Sequence, residues 1–130
     1  MSRRHELIRD AYAALGRGEL APWMQLLDRA AVWRGVGQSD DDEVPTCGAR
    51  REVIGRLANV YEQGRRFETF EFVDDGDTVV VGLRVSQPDW LGSADIYKRF
   101  TFSPGTDMVI RMQDCTDRDD GLSAAAATRP

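Results

Sequence analysis

From residue 66 onward the chain is a succession of β-type runs joined by short turns: "RFETFEFV", "DDGD", "TVVVGLRVSQ", "PDWLGS", "ADIYKRFTF", "SPGTD" and "MVIRMQDC". None of those connections is long enough to hold a crossover helix, so the four runs pair antiparallel as a meander. A meander has one face to bury and one to solvate. The residues before it must supply the cover.

They read as helices. From Arg4 to Leu15 the apolar positions Leu7, Ile8, Ala11, Tyr12, Ala14 and Leu15 recur at helical spacing, and "GRG" closes the run. Pro22 suits the first turn of a short second helix carrying Trp23, Met24, Leu26 and Leu27, after which "AAVWRG" reads as a short strand. A third helix, "ARREVIGRLANVYEQG", sets Val53, Ile54, Leu57, Val60 and Tyr61 on one face, with Thr46 or Cys47 placed to cap its start and Gly64 past its end. Between strand and helix, "GVGQSDDDEVPTCG" is an exposed loop with four consecutive acids, Asp40 to Glu43. It lacks the glycine and the spaced ligands of a calcium loop, so it reads as solvated.

Three helices, one strand and a curled four-strand sheet predict an α+β fold in which the helices pack on the concave face and leave a pocket at the open end. The expected unit is a single domain over residues 4–120, followed by a tail at 121–130, "GLSAAAATRP", that frays. One hundred and thirty residues suffice for one core and not for two.

Composition removes several classes of function. A net charge of -5, with arginines interspersed among acids, argues against general affinity for nucleic acid or anionic membranes. Glu6, Arg9 and Asp10 interrupt the first helix, so it does not read as a signal peptide, and the expected compartment is the cytoplasm. There Cys47 and Cys115 are free thiols. With His5 the only histidine, no usual zinc ligand set can be assembled, and no phosphate-binding glycine loop is present. No metal or cofactor is expected.

Taken in order, "AYAALGRGELAPWMQLLDRAAVWRG", "CGARREVIGRL", "FEFVDDGDTVVV" and "MVIRMQDCTDR" resemble the SnoaL-like branch of the nuclear transport factor 2-like (NTF2-like) superfamily over residues 4–120. The resemblance implies a cone: a curved, mostly antiparallel sheet wrapped around N-terminal helices. It also implies a homodimer, formed through the exposed sheet face. It spans isomerases, cyclases, epoxide hydrolases and binding modules, so it does not choose among functions. The ketosteroid isomerase residues are not matched: the base falls on Gly35, and the oxyanion pair on Ala11, beside Tyr12, and Lys98. Epoxide hydrolases of the superfamily use an Asp-Arg-Asp relay, for which Asp95, Arg99, Arg111 and Asp114 are available on the last two strands. SnoaL-like cyclases use one aspartate, and Asp114 is the nearest match.

The expected ligand is a small hydrophobic molecule, polycyclic, terpenoid or polyketide-like. Its pocket is walled by Tyr12, Trp33, Leu57, Tyr61 and Phe100, with Trp90 as a lid or dimer contact and Arg111, Gln113 and Cys115 as polar anchors on the last strand. Trp23 reads as core filling. Strand alternation then turns Asp114 outward, unless a bulge reverses the register and brings Met112 and Asp114 inward. Ile96, Lys98, Phe100 and Phe102 share a face, which makes Lys98 either an interior acid-base group or a stem reaching the rim. Catalytic candidates are therefore Asp114, Lys98 and Arg111. Cys47 reads as packing or capping and His5 as an exposed helix residue. The rival reading is a non-catalytic association module whose cavity is filled by its own side chains.

Overall fold

The computed structural model describes residues 2–37 and 45–127; the acidic run Asp40 to Glu43 lies outside them. Helix α1 spans Arg3–Leu15, and the Ser2 hydroxyl accepts from the His5 N–H at its start. Helix α2 spans Ala21–Leu26 with Pro22 in its first turn, and β1, Leu27–Arg34, follows without a break. After α3, Arg50–Glu62, come β2, Arg66–Asp75; β3, Thr78–Ser86; β4, Ala94–Phe102; and β5, Val109–Cys115.

These form one five-stranded sheet in the order β1-β5-β4-β3-β2. The meander β2 to β5 is antiparallel throughout, as its short turns require. Strand β1 adds to the far edge parallel to β5, a pairing that needs the long connection through α3. Bulges interrupt β2 between Thr69 and Glu71 and β5 between Val109 and Arg111. Each adds local twist and bends the sheet, so one face becomes concave.

The concave face carries the core. Val79, Val81, Leu83 and Val85 of β3, Phe100 and Phe102 of β4, and Val109 and Met112 of β5 meet Ile8, Tyr12, Leu15, Trp23, Val53 and Leu57 from the helices. Tyr12, Trp23 and Phe100 interlock at its centre, with Tyr12 edge-on to Trp23 at 4.9 Å and to Phe100 at 6.3 Å between ring centroids. Tyr12 and Trp23 are fully enclosed, and burial holds the Tyr12 phenol well above its usual pKa.

Three sequence-based expectations are corrected. Residues 118–127 form a helix, α4 (Arg118–Ala127), where composition predicts an irregular tail from 121. Its start is built from the "TDRDD" segment: Asp117 accepts from the Asp120 N–H, and Asp120 accepts from the Thr116 N–H, both at 2.8 Å. The helix lies on the convex face, where a Cβ on Gly121 would stand 2.8 Å from the Val80 side chain, and Arg118 reaches Glu71 of β2 at 2.7 Å. Second, α3 has no side-chain cap; Cys47 instead makes an antiparallel bridge to Trp33. Third, His5 is not exposed: it stacks on Phe72 at 4.8 Å and meets Asp74 at 2.7 Å, fastening α1 to β2.

Among the described residues no helix is long and apolar enough to cross a membrane.

Candidate functional site

The β5 bulge determines which residues face the interior. Val109 points into the core, and the extra residue after it reverses the alternation, so Met112 is again inward and Asp114 follows. Arg111, Gln113 and Cys115 consequently lie on the convex side, opposite Thr101, Arg99 and Tyr97. This corrects the expected facing of the three anchors. Gln113 donates to the Gly35 carbonyl at 2.6 Å, and Cys115 sits beneath Gly121 of α4. Burial pushes the Cys115 thiol up to about 11.

Asp114 is drawn into a compact polar cluster instead. Its Oδ1 accepts from Trp33 Nε1 at 2.9 Å and lies 3.1 Å from the Lys98 ammonium. The ladder brings this about: β4 pairs Lys98 with Asp114, while β1 pairs Trp33 with Met112 one step away. Lys98 Nζ also stands 3.7 Å above the centre of the Trp33 ring, a cation held against an aromatic face. The lysine side chain is 6% exposed and the aspartate 28%, so the cluster sits where the core opens to solvent. Burial lowers the Lys98 pKa, and the Asp114 carboxylate opposes that shift. Both bonds converge on Oδ1. Among the described residues no donor reaches Oδ2.

Above the cluster, Arg56 of α3 lies 4.9 Å from the Trp33 ring centre. It lines a cleft of about 550 Å3 together with Cys47, Glu52, Asn59, Gln63 and Arg65. Burial raises the Cys47 thiol, so this residue is a poor nucleophile at neutral pH.

Of the expected pocket walls, Tyr12, Trp33, Leu57 and Phe100 meet in the core, and Tyr61 packs against its edge under Arg66. Trp90 stays apart, half-exposed in the β3–β4 loop with Arg65 at 5.9 Å. Sequence reasoning missed Arg56 and Arg65. Nothing distinguishes them along the chain from the other arginines of their segment, because the cleft they line arises only from the packing of α3 and the turn that follows it.

No protein-family model matches the sequence, and no curated protein matches it. Solved structures do. An NTF2-like protein of unknown function from Burkholderia pseudomallei is 18% identical, with a TM-score of 0.67, covering 96% of this chain and 98% of that one. The fold is NTF2-like. IdmH of Streptomyces antibioticus, a proposed polyketide cyclase, superposes on this NTF2-like chain with a TM-score of 0.66 at 13% identity, covering 96% and 99%. TerC, co-crystallised with polyporic acid, gives 0.66 at 21% identity, covering 96% and 99%. At identities this low the superpositions show the fold alone, a curved and unclosed sheet against helices, and leave the chemistry to the residues themselves.

Proposed function

We propose that this NTF2-like protein binds a hydrophobic small molecule at the mouth of the cone and that Asp114 exchanges a proton with it. The chemistry would be that of an isomerase, cyclase or hydrolase carried by side chains, acting on a polycyclic, terpenoid or polyketide-like compound. One observation carries the reading: Trp33 donates to Oδ1 of Asp114 and the Lys98 ammonium stands 3.1 Å from the same oxygen, so the carboxylate is held in one orientation, with no donor to Oδ2 among the described residues. A base positioned in this way loses little freedom when it meets a substrate proton. Lys98 would balance the charge change as that proton moves, and Trp33 would provide an aromatic surface beneath the substrate. Neighbours named as a polyketide cyclase and as a complex with polyporic acid support the ligand class. The proposed setting is a cytoplasmic homodimer. Its partner would rest on the part of the convex face that α4 leaves open, around Phe70, which is 40% exposed.

A second reading has its own support. Tyr12, Trp23 and Phe100 fill the centre of the cone, as in an association module that binds partners through its outer surface. Native mass spectrometry of freshly purified protein, compared with the denatured mass, separates the two. An added small mass that is carried by the wild type and absent from Trp33→Ala supports the ligand site. No added mass, and none acquired from an apolar compound library, rejects it in favour of the module.

A further inference from the structure

Among the described residues, the proposed site and the cleft above it carry three cationic side chains, Lys98, Arg56 and Arg65, against two carboxylates, Asp114 and Glu52. Asp114 is engaged by Lys98 and Trp33. Glu52 stands four residues before Arg56 on α3, a spacing at which an ion pair forms readily, yet its carboxylate accepts from the Gly48 N–H at 3.2 Å instead. Arg56 and Arg65 both line the cleft, and among the described residues neither has a carboxylate within ion-pairing distance. Both stand close enough to Lys98 to make its ammonium harder to keep charged.

The two guanidinium groups are also held in place. Arg56 rests on the Trp33 ring at 4.9 Å. Arg65 donates from Nε to the Gln87 amide oxygen at 2.5 Å and has Trp90 on its other side at 5.9 Å. Gly64, in the left-handed conformation at φ +84°, lets the chain turn sharply into Arg65, and a Cβ there would meet Pro88 at 2.7 Å. Planar cations supported by aromatic rings, with N–H groups to spare, suit an oxyanion better than a neutral carbonyl.

We infer that the cleft selects small organic acids: its ligand is an aromatic or polycyclic molecule bearing a carboxylate or acidic enol, which Arg56 and Arg65 grip while the ring system lies toward Trp33. This rests on the proposed ligand site and names the class of molecule that site takes. It also accounts for orientation, because anchoring the anion at the arginines directs the rest of the molecule to Oδ2 of Asp114.

The test is calorimetric titration of the full chain with 1-hydroxy-2-naphthoate and, separately, its uncharged methyl ester, at roughly 50 and 500 mM salt. The acid should bind about tenfold more tightly than the ester, and its advantage should shrink at high salt. Arg56→Gln and Arg65→Gln should each weaken the acid by about five- to tenfold and leave the ester unchanged, as expected for loss of a charge-assisted bond. Arg84→Gln is the control, since Arg84 pairs with Asp95 on the convex side. Equal affinity for acid and ester, or an acid affinity indifferent to both cleft substitutions, overturns the inference. So does failure of the acid to bind up to about 1 mM. An ester bound as well as the acid, with both lost in Trp33→Ala, would overturn anion selection while leaving the Asp114 site standing; a failure of the site itself appears in the mass-spectrometric comparison.

Discussion

Lys98 and Asp114 face each other across the β4–β5 ladder with 3.1 Å between ammonium and carboxylate, and the lysine is almost wholly enclosed. Two charges withdrawn from water stabilise a fold only as far as their mutual attraction exceeds the cost of desolvation. Asp114→Leu alone leaves the lysine charge without its partner and should destabilise the protein by about 2–3 kcal/mol, below the fully buried limit because the aspartate is partly solvated. Lys98→Met combined with Asp114→Leu should return to within about 1 kcal/mol of the wild type, the residue being the lost acceptor of the Trp33 N–H. Urea denaturation of the two singles and the double measures the coupling.

Asp114→Asn makes a separate prediction about function. It keeps an acceptor for Trp33 and Lys98 but removes the exchangeable charge. An acid-base role predicts loss of turnover by about 100-fold or more with ligand affinity nearly retained. Equal losses in kcat/KM and binding would instead make Asp114 a binding group.

Tyr12 and Trp23 hold two buried donors, the phenol Oη and the indole Nε1, that meet no acceptor among the described residues. Deleting an unpaired hydroxyl removes a desolvation cost without removing a bond. Tyr12→Phe should therefore leave stability unchanged or raise it by up to about 1 kcal/mol. Thermal denaturation decides, and a loss above about 1 kcal/mol would show that the hydroxyl is bonded in the native protein.

Cys115 ties stability to alkaline pH. Its thiol is raised by burial from an ordinary 9.0 to about 11 in the folded protein. Because the folded pKa is the higher one, the contribution is fully present below the unfolded pKa near 9 and is lost as pH rises through about 11. Wild type should lose stability faster than Cys115→Ala between those values. Parallel denaturation curves for the two proteins across that window would refute the assignment.

Gly121 predicts how α4 is held. An alanine there would gain helix propensity but place its Cβ 2.8 Å from a Val80 methyl. Valine is stiff at χ1, and its strand is buried on both faces, so it has little room to yield. Gly121→Ala should destabilise by about 1–2 kcal/mol and speed amide exchange in 118–127, and Val80→Ala in the same chain should restore the slow exchange.

The sequence by itself determined the element types and their order as far as the end of β5. Helical spacing in α1 and α3 and the close-set turns after residue 66 leave few architectures for 130 residues, because apolar faces of those shapes must cover each other. It even held a sign of α4: in "TVVVGL" the apolar residues run on without alternating, the pattern of a strand covered on both sides, and Val79, Val80 and Val81 are all buried. What the tertiary structure decided was the site. One extra residue in β5 turns Asp114 inward and Arg111, Gln113 and Cys115 outward, and a bulge leaves no reliable mark in a strand of mixed polarity. The meeting of Trp33, Arg56, Lys98 and Asp114 joins residues from three strands and a helix. No local pattern encodes such a meeting, because it depends on how α3 docks beside β1 and on the register in which β1 adds to β5.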